Sequence, residues 1–239
     1  MLLESIFIIV SCLFIAVLFY KQANEQIEIL TIEADRIQNL PNWLSERSPV
    51  VVRGYKTPSL GTREACEQRP SLAALFQYEP STFPLQTRKA LAQESGLDIW
   101  FEHTLYSILT SRISRLYTMP YSRMILRKQG LTQTTAPVTF FMPTQGAFTV
   151  NILVQSQIPF LPTRWEGRAL ESLSVADSPL LNQIQYSQLK LRCGHLLFLP
   201  PHCLVDIQEE STSDIQAWGY FVELHHPISL AVDKLQFKQ

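Results

Sequence analysis

Charge is scarce in this chain of 239 residues. Asp, Glu, Lys and Arg make up 17% of it, and 20 basic against 21 acidic side chains leave a formal net charge of −1. So even a balance provides no global attraction to a polyanion, and nucleic acid is not an expected partner. The densest basic stretch is "RKQG" at 127–130, with Arg112, Arg115 and Arg123 before it. Its three- to four-residue spacing reads as a solvated helix face. Cysteine is also sparse. Of the four, Cys12 lies in an apolar run, while Cys66, Cys193 and Cys203 form neither a disulfide framework nor a zinc-type spacing. The expected state is the reduced thiol, and none sits in a pattern diagnostic of a cysteine protease. Glycine is too thinly spread for a phosphate loop: the one in "SLGTREACEQ" stands alone. Trp43, Trp100, Trp165 and Trp218 are dispersed, so no stacking platform for bases is suggested. Histidine is missing altogether from 104 to 194.

What the chain does have is apolar content, 46% of its residues. That is enough to bury a core, and the length suits one domain with an appendage. The longest apolar run, "SIFIIVSCLFIAVLFY", carries no charge from Ser5 to Tyr20. As a helix from Leu2 it would measure about 28 Å at ~1.5 Å per residue, close to a ~30 Å hydrocarbon core. Basic residues do not precede it and no small-residue cleavage site follows, so an anchor is expected rather than a signal peptide. Ile6, Phe7, Ile8, Ile9, Leu13, Phe14, Ile15, Leu18, Phe19 and Tyr20 would face lipid. Lys21 and Arg36 follow the run, which places the body on the cytosolic, matrix or stromal side.

Beyond the anchor, Ile27, Leu30, Ala34 and Ile37 recur at helical spacing, and Pro41 ends the pattern. Val50 to Val52 is a β-branched run that reads as a strand. Ser71 and Asp98 are candidate N-caps for "LAALFQY" and "IWFEHTLYSILTSRISRLY". His103, between Phe101 and Leu105 in that helical stretch, reads as a structural histidine. From Met124 onward, "PVTFFM", "FTVNILVQ", "LKLR", "HLLFLP", "LVDIQ" and "QAWGYFVEL" are short and β-rich, separated by turn formers. Helices followed by strands predict an α+β protein whose C-terminal body is a barrel or sandwich.

Two segments together resemble the cupin-like, Jumonji-type Fe(II)- and 2-oxoglutarate-dependent oxygenases. "IEADRIQNLPNWLSERSPVVVRGY" looks like the family's helical lead-in and "PVVIRG" strand. "LKLRCGHLLFLPPHCLVDI" looks like its "L.PGDLLFIPPGWWHHV". Gly194 suits the turn, "LLFL" a strand buried on both faces, and Pro200-Pro201 its end. The resemblance covers Ile27 to Leu224. With the anchor read from the apolar run at 1–22, the expected organisation is a juxtamembrane helix and lead-in at 23–48, and a cupin-like double-stranded β-helix at 49–239 with a helical insertion near 70–119.

The chemistry of that family needs two histidines and one carboxylate on one face of an iron. The resemblance places those positions at Gln145, Ala147 and Val205. Valine and alanine cannot coordinate iron, and glutamine is a poor substitute for imidazole. His195, His202, His225 and His226 are the alternative ligands the sequence offers. No catalytic residue and no cofactor is therefore expected. The leading expectation is a non-catalytic accessory subunit, bound to membrane lipid and to other protein subunits of a larger complex. A divergent metal-dependent oxygenase using the alternative histidines stays open. So does a binding module whose barrel holds a small apolar or carboxylate ligand, with Arg127 or Arg164 pairing the carboxylate.

Overall fold

The computed structural model describes residues 2–21, 28–110, 117–210, 215–227 and 229–230. Ten strands carry the architecture: β1 (Leu30–Glu33), β2 (Val50–Arg53), β3 (Met119–Leu126), β4 (Lys128–Gln133), β5 (Val138–Gln145), β6 (Ala147–Leu153), β7 (Ser187–Arg192), β8 (Leu196–Leu199), β9 (Leu204–Glu209) and β10 (Trp218–His225). They form a six-stranded sheet in the order β1-β2-β8-β5-β10-β3 and a four-stranded sheet in the order β4-β9-β6-β7. From β3 to β10 the chain passes back and forth between the sheets, with the antiparallel β6–β7 pair as its midpoint. This winding is cupin-like.

Strand periodicity sorts the side chains into layers. Phe141, Phe148, Val150, Ile152, Leu197, Val205, Ile207 and Phe221 face one another between the sheets. The space inside the roll is thus a packed apolar core. Alternate residues of the larger sheet, among them Phe140, Met142, Phe198, Trp218 and Tyr220, face outward against helices. Those helices are α2 (Leu40–Ser45), α3 (Arg63–Glu67), α4 (Pro70–Ala73), α5 (Leu85–Glu94), α6 (Leu97–Phe101) and α7 (Ser107–Leu109), with a π-helical turn at Glu102–Tyr106 between the last two. The outer face of the smaller sheet is covered by residues 154–186, which run as 3-10 turns and loops and bury Leu161 and Leu173 against Leu131, Leu153 and Leu204.

Several expectations change here. Leu30 to Glu33 is a strand, not part of a helix. It pairs in parallel with β2, Leu30 beside Val50 and Ile32 beside Val52, and its burial alternates along the strand. Neither Ser71 nor Asp98 caps a helix: Arg69 and Gly96 occupy those positions. Asp98 instead accepts hydrogen bonds from Tyr220 Oη (2.7 Å) and Ser122 Oγ (2.9 Å), tying α6 to the sheet.

The largest correction concerns the N-terminus. A helix, α1, runs over Leu2–Lys21. Its described side chains are those of Ser5–Cys12, Phe14 and Ile15, and of these Ile6, Phe7, Ile8, Ile9, Phe14 and Ile15 are half or more exposed. The side chains of Leu13, Leu18, Phe19 and Tyr20 lie outside the described set. Among the described residues, no helix is long and apolar enough to cross a membrane. The expected single-pass anchor is corrected accordingly, and the fold class becomes α+β with two β-sheets. The lipid partner, the assignment of the body to one side of a membrane, and the role as subunit of a membrane complex all rested on that anchor and fall with it.

Candidate functional site at the open edge of the roll

The three positions implied for iron do not converge. Val205 pairs with Ile152 across the β6–β9 ladder and is fully buried in the apolar core. Ala147 opens β6, five residues before Ile152 and roughly 16 Å away along the strand at ~3.3 Å per residue. Gln145 sits at that same far end. Its Oε1 accepts from Arg63 N (2.8 Å) and its Nε2 donates to Gln216 O (3.1 Å). One apolar side chain, one methyl group and one committed amide do not fit an iron ion.

The alternative histidines are also divided. His195 opens β8 and His202 follows its other end. His202 takes a left-handed φ of 66°, and its N–H donates to Thr134 O at 2.7 Å. The Thr134 hydroxyl in turn meets Pro200 O at 2.8 Å and the Cys203 N–H at 3.0 Å, which fixes the turn. His225 packs edge-on against Tyr121, ring centroids 5.2 Å apart. His226 lies 6.5 Å from the Tyr117 ring, and its N–H donates to Ser229 Oγ. Register from β8 through β5 to β10 sets Leu199, Thr139 and Glu223 side by side, so His202 and His225 share the end of the roll opposite His195. Among the described residues, no group of three or more His, Cys, Asp or Glu side chains could hold a metal ion.

A different site emerges where the two sheets leave their edges unjoined. β3 is the last strand of the larger sheet and β4 the first of the smaller. Arg127 turns the chain between them at φ 66°, its N–H held by Ala217 O at 2.8 Å. Beside this junction lies a cleft of about 720 Å³ whose lining includes Arg88, Arg127, Lys128, Gln129, Thr132 and Gln208. Its far wall is the Gly167–Ala169 segment of the covering loop. That wall is drawn close to β4 by Leu131 N→Arg168 O (2.8 Å) and Gly167 N→Leu131 O (2.9 Å). Glycine at 130 is required there, since a Cβ would lie 2.2 Å from Gly167 O.

The cations of the cleft differ in how far they are compensated. Arg127 Nε pairs with Glu209 at 2.9 Å, with Glu79 more distant at 3.7 Å, and the hydrogen bond to Glu209 raises its pKa. Glu209 is committed twice, because it also accepts from Ala217 N. Arg88 is half-buried on α5, and its Nε donates to Phe83 O at 2.9 Å. Its pKa is pushed down, first by burial and then by the charge of Arg123. Among the described residues neither Arg88 nor Lys128 makes an ion pair. Arg164 is exposed and takes no part in the lining.

Of these residues the sequence pointed to Arg127 alone as a ligand partner. Arg88 and Gln208 carried no local signal, and "RKQG" looked like a helix face where it is a strand junction.

No protein-family model matches the sequence, and no curated protein matches it. Among solved structures, the chain is similar to the crystal structure of hydroquinone 1,2-dioxygenase from Sphingomonas sp. TTNP3 with 4-hydroxybenzoate bound. The TM-score is 0.31 at 15% identity, over 47% of this chain and 62% of that one. The likeness is distant and spans less than two thirds of that chain, so no inference about activity is taken from it. The cupin-like description stands on the strand order.

Proposed function

We propose that this chain is a small-ligand-binding module that takes a carboxylate-bearing small molecule in the β3–β4 cleft. The observation that carries the reading is the uncompensated positive charge of Arg88 and Lys128 in a cleft of about 720 Å³. A guanidinium that is half-buried and near a second arginine is in an unfavourable place, and an anion beside it relieves that cost. Arg88 offers a planar fork suited to a carboxylate, Lys128 a point charge, and Gln129, Thr132 and Gln208 neutral hydrogen-bonding groups around them. The packed interior of the roll leaves the ligand at its edge rather than inside it.

The test is calorimetric titration of the full chain with a panel of small mono- and dicarboxylates. Saturable binding is expected, weakened about tenfold or more by Arg88→Gln and by Lys128→Gln, the size of one lost charge-assisted hydrogen bond. Binding that both variants leave intact would remove the cleft from consideration.

A further inference from the structure

The geometry points to a second anion site, for a phosphate group, at the other side of the roll where β2, β7 and β8 end together. The register sets it up. Val52 pairs with Leu196, so the next residues along, Arg53 and His195, stand opposite each other at the end of the β2–β8 ladder. Tyr55 N→Gly194 O at 2.9 Å extends that pairing past the strands. Residues 192–195 form a tight turn closed by His195 N→Arg192 O at 2.9 Å, with Gly194 at φ 93°. A positive φ at the third residue of such a turn is the reason for glycine there. The turn brings Arg192 back beside His195.

These residues line a depression of about 390 Å³ together with Ala147, Lys190, Leu191 and Glu210. Its charges do not balance. Lys190 Nζ is paired with Glu210 at 2.6 Å. Among the described residues Arg53 and Arg192 make no ion pair, while the His195 ring is held by the Lys190 backbone and its Nδ1 is closed off from solvent. Glu33 stands beside Arg53 in the β1–β2 pairing without forming an ion pair with it. The His195 pKa is lowered by burial first and then by the nearby charges of Arg192 and Arg53. Two free forks on rigid strand ends fit the three oxygens of a phosphate group, which can accept from both at once, with the His195 ring beside them as a reporter. A planar carboxylate has too few oxygens to satisfy them. The volume leaves room for a phosphorylated small molecule.

The experiment is titration of the full chain with inorganic phosphate while the His195 ring resonances are followed by NMR. We expect a saturable shift at millimolar phosphate, and a shift by acetate that needs about tenfold more anion or does not saturate. Arg53 and Arg192 are exposed, so Arg53→Gln and Arg192→Gln leave the fold intact, and each weakens the response about tenfold. Arg88→Gln leaves it unchanged, which separates this site from the carboxylate cleft. No saturable shift, an unchanged response in the Arg53→Gln/Arg192→Gln double variant, equal affinity for acetate, or loss of the response in Arg88→Gln would each overturn the assignment.

Discussion

The Asp206 carboxylate accepts the backbone N–H of Leu170 at 3.1 Å, 36 residues back along the chain. The same oxygen accepts from Asn151 Nδ2 at 3.2 Å, and the other oxygen from Gln208 Nε2. Asp206 is fully buried on the outer face of the smaller sheet. Its role is to pin the covering loop beside Ala169, and so to hold the wall of the cleft. Asp206→Ala leaves buried amide donors without an acceptor, at a cost of about 1–3 kcal/mol. The expected result is a lower denaturation midpoint together with faster hydrogen exchange around Leu170. Unchanged exchange there would show that the loop is held by its apolar contacts alone.

A second prediction concerns the mouth of the roll, where Arg123 pairs with Glu223 at 2.7 Å and both are less than a fifth exposed. The guanidinium also lies over the Phe221 ring, 4.2 Å from its centroid. Removing one partner strands the other in a largely desolvated place, so Glu223→Leu should cost about 3 kcal/mol. Arg123→Met with Glu223→Leu removes both charges and should recover most of that loss. Chemical denaturation of the two variants decides it. A double variant no more stable than the single one would mean that the pair, and not the avoidance of a lone charge, supplies the stability.

The legible parts of this chain are those where pattern and packing agree. Val50 to Val52 and "LLFL" read as strands because they lie in the core with few polar neighbours, and the structure puts them there. Leu30 to Glu33 misled because Ile27, Leu30, Ala34 and Ile37 fit a helical period, whereas the alternation that matters covers only four residues. The partner strand that selects it begins twenty residues later. Asp98 looked like a cap because its side chain is suited to one, and a tyrosine 122 residues away claims it instead. The β3–β4 cleft was beyond local reading for the same reason: Arg88, Lys128 and Gln208 meet only through the pairing of distant strands. The apolar run at the N-terminus gave the strongest local pattern of all, and it is where expectation and structure part most widely.

A third prediction is a pH dependence. Asp177 accepts from Arg168 Nη2 at 3.1 Å and from the Ser174 N–H and Oγ, each at 2.9 Å. The Arg168 hydrogen bond first, then the two from Ser174, lower its pKa from 3.8 to about 2. A depressed carboxyl contributes stability that is fully present above the unfolded value and is lost as pH falls through about 2. This latch within the covering loop should therefore persist through mild acid and open only near the lower limit. NMR titration of the Asp177 carboxyl carbon measures it directly. A midpoint near 4 would mean that the latch does not hold in solution.

The last prediction returns to the packed core. Placing a histidine at 205, where the resemblance in sequence would put a ligand, asks a fully buried position, facing Ile152 and flanked by Leu204 and Asp206, to accept an imidazole. The ring is larger than the valine it replaces, and its two nitrogens meet the apolar side chains that fill the roll. Burying unpaired polar groups costs about 1–3 kcal/mol, and overpacking adds about 1–3 kcal/mol more. Gln145 and Ala147 lie at the other end of β6, so the new histidine gains no second or third ligand to offset that cost. Val205→His should be destabilised by at least 2 kcal/mol in chemical denaturation, and added Fe(II) should not raise its midpoint. A midpoint that rises with Fe(II) would mean that the core opens to a metal, and the packing of Phe141, Phe148 and Ile152 would then have to be looser than the structure makes it.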